Sequence, residues 1–238
     1  MTARYSLADV AALIGEPTRA AMLLGLLDGR ALTATELARI ADLSAPATSL
    51  HLSKLAQGGL VVVRKAGRHR YFRLASGEVA HALEALGVIA TAAPRDRPPS
   101  RAGSALRAAR SCYDHLAGVL AIELADRLER ARIVRIEDDE RYRVTRDGRA
   151  WFADVLDIDV AALTTGRRPL ARRCLDWTER RPHLAGALGA AVLERFLQRR
   201  WVACTPGSRA LRITTHGAPA IARLARGGPR PQITASRD

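Results

Sequence analysis

The tightest constraint on this chain lies between Thr33 and Arg70, where two short helical segments lead into a glycine pair and then a strongly basic hairpin. Thr33-Ala-Thr-Glu36 has capping-box spacing, so a helix starts there and runs to Ile40. Asp42-Leu43-Ser44 makes the turn, with Ser44 as N-cap of the next helix and Pro46 tolerated in its first turn. On that second helix Thr48, Leu52 and Leu55 share the face that packs inward, leaving Ala45, Ala47, Leu50, His51 and Lys54 over the remainder. Gly58-Gly59 ends it, because glycine accepts the left-handed C-terminal conformation. A β-like run from Leu60 to Lys65, a turn at Ala66-Gly67-Arg68 and a second run from Arg70 to Leu74 make a hairpin whose tip gathers Arg64, Lys65, Arg68, His69 and Arg70. Cationic groups so placed displace counterions from phosphates while a helix enters the major groove, so the order of elements implies double-stranded DNA as partner. The bland alternative is a solvated basic hairpin on an ordinary helical domain.

Composition agrees with a polyanionic partner. Lys and Arg number 38 against 24 Asp and Glu, a formal charge of +14, almost all of it Arg. An Arg, Ala and Gly bias also accompanies a GC-rich genome, so charge without the motif would not decide the matter. With 238 residues and 48% hydrophobic content, two domains are expected. No stretch reaches the roughly 18 apolar residues of a membrane helix, and Met1 to Val10 lacks a basic-then-apolar leader pattern, so no membrane partner and a cytoplasmic location are expected. Three widely spaced cysteines, Cys112, Cys174 and Cys204, argue against a disulfide framework and leave ligand, sensor or core roles open.

Helical periodicity from Leu7 to Ile14 and from Pro17 to Leu27 precedes the motif, and a helix from Glu78 to Ile89 closes it. Residues 1–92 therefore read as a winged helix-turn-helix domain. Pro94, Pro98 and Pro99 mark residues 93–103 as a stiff linker. Residues 104–226 form a second domain, and the Gly- and Pro-containing tail 227–238 is expected to be disordered. Within the second domain His115-Leu-Ala-Gly118 recurs as His183-Leu-Ala-Gly186, and at the same offset Arg127, Arg132 and Val134 match Arg195, Arg200 and Val202. After one inserted residue, Val144-Thr145 and Gly148 match Ile213-Thr214 and Gly217. Each copy, about 107–160 and 168–226, reads as a long helix, a hairpin ending in Thr-x-x-Gly and a short helix. The expected fold class is mainly α with small β-hairpins (α+β), a winged helix-turn-helix followed by tandem degenerate winged-helix-like repeats.

Gly15-Glu-Pro-Thr-Arg19, Leu43-Ser44, Ser49-x-His51-Leu52-x-x-Leu55, Gly59-Leu60-Val61 and the Arg-rich wing to Tyr71 together resemble the ArsR/SmtB family of repressors, from Leu7 to about Ala90. The resemblance implies a homodimer on an imperfect inverted repeat, the helix after Ser44 as reading helix, and an effector that releases DNA. Two departures matter. Soft-metal sensors of the family carry Cys-x-Cys where this chain has Leu37-Ala-Arg39, and of the metal pattern on the final helix the chain keeps His81-x-x-Glu84, which reads as a surface pair. Ala45, Pro46, Ala47 and Leu50 offer few hydrogen-bonding groups, so thymine-methyl contact and shape readout would supply much of the specificity.

Candidate effector chemistry lies in the second domain. Cys112-Tyr-Asp-His115 opens the first copy, with Cys112 and His115 three apart on one helical face; Cys174-Leu-Asp176-Trp177 and His183 open the second. Two thiolates and two imidazoles suffice for a zinc-like ion. Their sequence spacing does not say whether they converge; buried core residues, a thiol-reactive sensor and a small-molecule effector between the copies are the other readings. Trp151, Phe152, Trp177, Phe196 and Trp201 are expected to pack in the core. An enzyme using Cys112 or Cys174 as nucleophile and His115 or His183 as base finds no supporting phosphate loop or nucleophile elbow. A DNA-architectural protein without an effector is the third class; it would bind DNA tightly with no ligand response.

Overall fold

Ser6 and Asp9 exchange hydrogen bonds as a capping box that starts α1 (Leu7–Gly15), and Glu16 caps α2 (Pro17–Gly25), whose N1 proline needs no amide partner. The computed structural model describes residues 5–67, 69–90, 101–165, 168–206 and 208–226, which fall into two units, Met1–Gly87 and Val88–Asp238. In the first unit β1 (Leu32–Thr33), α3 (Ala34–Ala41), α4 (Ala45–Gln57), β2 (Val61–Ala66), β3 (His69–Leu74) and α5 (Gly77–Ala90) follow α2.

The box at Thr33 is present: the Thr33 N–H donates to Glu36 Oε2 at 2.7 Å and the Thr33 hydroxyl accepts from the Glu36 N–H at 3.3 Å. Ser44 stands at the N-cap of α4 but makes no side-chain capping bond there; its carbonyl accepts instead from Thr48 Oγ1 at 2.8 Å. Thr48, Leu52 and Leu55 are the residues α4 buries, which fixes the helix face left to solvent. The helix stops at Gly59 (φ +70°), where the Leu60 N–H reaches back to the Leu55 carbonyl at 3.0 Å and the Gly59 N–H to Ala56 at 3.1 Å. β2 and β3 pair from Val61↔Leu74 to Ala66↔His69, and β1 adds Leu32↔Phe72 to give the order β1-β3-β2. Two residues carry no alternation, so β1 leaves no trace in the sequence pattern. Met22, Leu23, Leu26, Leu37, Leu52, Leu55 and Phe72 form the core; full burial is worth about 2 kcal/mol per such side chain.

Residues 91–100 and 227–238 lie outside the described residues, and with them most of the expected linker and the whole expected tail. Arg101–Gly103, expected in the linker, instead open α6 (Arg101–Ala108), whose last turn, Ala105-Leu-Arg-Ala108, consists of good helix formers. One order of elements then occurs twice. The first run is β4 (Arg110–Cys112), β5 (His115–Ala117), α7 (Val119–Arg130), β6 (Val134–Ile136), β7 (Tyr142–Val144) and α8 (Arg146–Leu156). After a 3-10 turn at Ala162–Thr165 come β8 (Arg172–Leu175), β9 (Pro182–Ala185), α9 (Gly186–Gln198), β10 (Val202–Cys204), β11 (Leu211–Ile213) and α10 (Gly217–Arg226). The opening hairpin of each run is unanticipated, because strands of three or four residues are too short for a period-two signal.

Local geometry repeats with the order. Arg132 and Arg200 take left-handed φ values of 58° and 54° after α7 and α9. Thr145 Oγ1 donates to the Arg132 carbonyl and accepts from the Gly148 N–H, both at 2.9 Å; Thr214 makes the same pair of bonds to Arg200 and Gly217 at 2.7 and 2.8 Å. Each threonine thus ties the end of one helix to the start of the next. Each glycine lets the backbones touch: a Cβ on Gly148 would stand 2.0 Å from the Ile133 carbonyl oxygen, and one on Gly217 2.0 Å from that of Trp201. The runs also pack reciprocally. β4 bridges to the second run at Arg110↔Ala210 and β8 to the first at Arg141↔Arg172, while α7 lies on β9 and α9 on β5. One core takes Leu128, Phe152 and Leu156 from the first run and Leu188, Phe196 and Trp201 from the second, with Trp151–Phe152 and Phe196–Trp201 both edge-on at 5.1 Å. No helix of the described residues is long and apolar enough to cross a membrane.

The close approaches predict that Gly148→Ala and Gly217→Ala each cost roughly 2–4 kcal/mol in urea unfolding. Gly15→Ala, whose Cβ meets nothing within 4 Å, should shift the midpoint by less than about 0.5 kcal/mol. Equal losses in all three would assign the glycines an effect other than backbone contact.

Candidate nucleic-acid interface and a buried cysteine–histidine cluster

Along α4, Ser44, Ala45, Pro46, Ser49, Leu50 and Lys54 are exposed and Ala47 is half-buried. Leu50 is 58% exposed. On the hairpin Arg64, Lys65, His69 and Arg70 are exposed; Arg68 lies outside the described residues. The register sets Lys65 directly opposite Arg70. Like charges so placed destabilise an isolated hairpin, and a polyanion between them reverses the sign.

His51 sits differently from the expected DNA-facing position. It is half-buried, with Nδ1 3.3 Å from Glu16 Oε2, so it braces α4 against the start of α2. The same carboxylate accepts from the Thr18 and Arg19 N–H groups at 3.0 and 2.9 Å. Arg19 in turn donates through Nε to the Leu13 carbonyl at 2.7 Å and through Nη2 to that of Ala12 at 2.8 Å, closing the end of α1. Gly-Glu-Pro-Thr-Arg is therefore the joint of α1, α2 and α4. Helical periodicity places His51 at the edge of the apolar stripe and cannot say which side it takes. Glu84 is another departure: it is buried, 2% exposed, so His81-x-x-Glu84 is no surface pair.

Desolvation pushes the Glu16 carboxyl up, but the Arg19 and Thr18 N–H groups and the nearby His51 hold it down at about 2, against an ordinary 4.5. A depressed carboxyl contributes stability above its unfolded value and loses it as pH falls through the folded one. Wild-type protein should therefore lose stability between about pH 5 and 2, and Glu16→Gln should be less stable at pH 7 with a shallower loss across that window. Thermal melts at stepped pH check this; parallel curves for the two proteins would remove Glu16 from the joint.

In the second unit Cys112 and His115 are cross-strand partners in the β4–β5 hairpin, and Cys174 and His183 are cross-strand partners in β8–β9. Cys112 and His115, expected three apart on a helix, thus belong to a tight hairpin instead, with Tyr113 supplying the left-handed turn residue (φ 59°). β5 packs against β9 and unites the pairs. All four residues are buried, and one ligand atom from each lies within 4.8 Å of every other. The His115 and His183 rings are 5.1 Å apart, and neither Nε2 makes a hydrogen bond to nitrogen or oxygen within the described residues.

Carboxylates stand behind both rings. Asp114 Oδ1 is 3.4 Å from His115 Nδ1, and Asp176 Oδ2 is 3.7 Å from His183 Nδ1. Burial pushes the His115 imidazole down, yet Asp114 and the Cys174 sulfur outweigh it and raise it to about 9. Asp114 is held by Arg168, whose Nη2 donates at 2.8 Å. Asp176 is fully buried, pairs with fully buried Arg110 at 3.0 Å, and accepts from the Gly118 N–H at 2.7 Å. Trp177 is half-buried and stacks on the Arg110 guanidinium at 5.0 Å, so it supports the cluster from outside. Asp114, Arg110 and Arg168 carry no motif of their own; the repeated His-Leu-Ala-Gly is the one sequence sign of this arrangement. Cys204 is exposed and is not one of the four.

A helix-turn-helix domain model matches residues 14–64. The HTH-type transcriptional regulator YdfF of Bacillus subtilis (strain 168) is 40% identical over 214 residues, covering 89% of this chain and 93% of that protein. Solved structures similar to part of the chain include HlyU from Vibrio cholerae (32% identity, 34% of this chain and 88% of that one, TM-score 0.33) and the cadmium sensor CmtR from Mycobacterium tuberculosis (35%, 40%, 97% and 0.32). With near end-to-end similarity to YdfF and a helix-turn-helix domain over residues 14–64, the chain belongs to the family of HTH-type, DNA-binding transcriptional regulators.

Proposed function

We propose that the protein is a homodimeric repressor that binds an imperfect inverted repeat and is released when an effector acts on its second unit. The observation that carries the DNA-binding geometry is the pairing, in one small unit, of an exposed α4 face with a cationic hairpin tip. In this reading Ser44, Ala45, Pro46, Ala47, Ser49, Leu50 and Lys54 enter the major groove, and Arg64, Lys65, Arg68, His69 and Arg70 hold flanking phosphates. Few of the groove residues offer hydrogen bonds, so thymine methyls and DNA shape carry much of the choice. Dimerisation is supported by apolar surface on the same unit: α1 buries none of its residues, Leu7 is 86% exposed, and on α5 Leu86 is 45% exposed. Cys112 and Cys174 are enclosed beside the histidines, an arrangement that favours a regulatory or structural role over a nucleophile open to substrate.

Fluorescence anisotropy on the DNA upstream of the protein's own gene, against scrambled DNA, tests the reading. Specific binding that weakens on addition of one of reductant, oxidant, zinc or chelator is expected; equal binding to both DNAs would sink sequence-specific repression. Lys65→Ala with Arg70→Ala should weaken binding to every sequence and reduce the salt slope by about two. An unchanged slope would take the hairpin out of the interface.

A further inference from the structure

We propose that Cys112, His115, Cys174 and His183 form a four-coordinate site for one soft divalent ion of the zinc class, with Asp114 orienting the His115 imidazole. Three independent features support this. The four donors come as two identical cross-strand Cys–His pairs, one from each run, and all are buried. Nε2 of buried His115 and both ring nitrogens of buried His183 lack a hydrogen bond to nitrogen or oxygen among the described residues, a cost that an ion bound at the two Nε2 atoms reduces. A carboxylate lies at the Nδ1 side of each ring: Asp114 is hydrogen-bonded to His115 Nδ1, which favours the Nε2-ligating tautomer there, while Asp176 stands 3.7 Å from His183 Nδ1 without a hydrogen bond.

Size and charge also fit. Bonds of about 2.0–2.3 Å in a tetrahedron put ligand atoms about 3.3–3.8 Å apart, so donors already within 4.8 Å of one another need a small contraction. Two thiolates neutralise a divalent ion, and the neutral imidazoles add none, so the loaded centre is uncharged in its dry surroundings. Loading displaces the thiol protons and any proton on His115 to solvent. With four protein ligands and no open position, the ion holds the hairpins together and activates no water. The site gives the proposed regulator's second unit a defined ligand class, yet it stands or falls apart from operator release, and the two are measured separately.

The test uses full-length protein purified under reductant, stripped with chelator and titrated with Co(II). One equivalent should bind with tetrahedral ligand-field bands and a thiolate-to-cobalt charge-transfer band, and Zn(II) should displace it. Cys112→Ser and Cys174→Ser should each weaken binding by more than about 100-fold and halve the charge-transfer intensity. Asp114→Asn should weaken it by about 10-fold, and Cys204→Ser should leave it unchanged. His183→Cys, which can still supply a ligand, should retain the ion with a stronger charge-transfer band, separating lost ligation from lost folding. Absence of thiolate-to-cobalt charge transfer, or binding equally tight in Cys112→Ser and Cys174→Ser, would overturn the site. Normal Co(II) binding with anisotropy indifferent to zinc and chelator would keep the site and remove it as the effector input; failure of specific DNA binding alone would leave it untouched.

Discussion

The second unit depends on one buried carboxylate. Asp176 lies in the turn after β8, and its Oδ1 accepts from the Thr178 N–H and hydroxyl and the Glu179 N–H, which closes that turn. Its Oδ2 reaches into the other run, to the Gly118 N–H at the start of α7 and to Arg110 on β4. Burial pushes the carboxyl up, but Arg110, Thr178 and Gly118 outweigh it and hold it at about 2, so it stays charged at every physiological pH. A charge of this kind is tolerated where its partners are fixed, and here the partners come from both runs. The consequence is positional: β4–β5 and β8–β9 can be placed against each other in one way, and that way puts Cys112 and His115 beside Cys174 and His183.

Much of this was legible in sequence, for reasons particular to each residue. Thr33 and Glu36 announce α3 through a local bond pair, and Thr48, Leu52 and Leu55 announce the buried side of α4 through spacing, because both signals span one or two turns of one helix. The doubled Thr-x-x-Gly was visible for the same reason, since each threonine hydroxyl accepts from the glycine N–H three residues on. The cysteine–histidine cluster was not. Cys174 and His183 meet because β8 and β9 pair, and the pairs converge because β5 meets β9; neither contact has a period that a linear pattern records. Reading Cys112 to His115 as one turn of helix failed on a single residue, Tyr113, whose left-handed backbone makes the turn of a hairpin.

In the first unit the comparable joint is Glu16 with Arg19 and His51. A recognition helix must be held rigidly while leaving one face to solvent, so its support has to come from its ends and its buried side. Leu52 and Leu55 give the buried side, and Glu16 gives a polar brace through His51. Arg19 brings α1 to the same place, where Leu13 stands so close to Gly58 that a Cβ there would meet its Cδ1 at 2.2 Å. The apolar residues that α1 leaves exposed are the remainder of that helix once one side is committed to this joint.

The reciprocal packing of the two runs bears on how a ligand at the cluster would act. Each opening hairpin is held less by its own run than by the long helix of the other, α9 on β5 and α7 on β9. The four donors therefore share a position that exists after both runs have folded and not before. Binding energy at such a place is folding energy for both runs at once, since the unfolded chain presents no preformed set of ligands. An ion held there would stabilise the unit as a whole instead of one loop. Its removal would leave the two cysteines and two histidines packed together at the point where the runs meet. A change at that point reaches α7 and α9 directly, through the hairpins they cover.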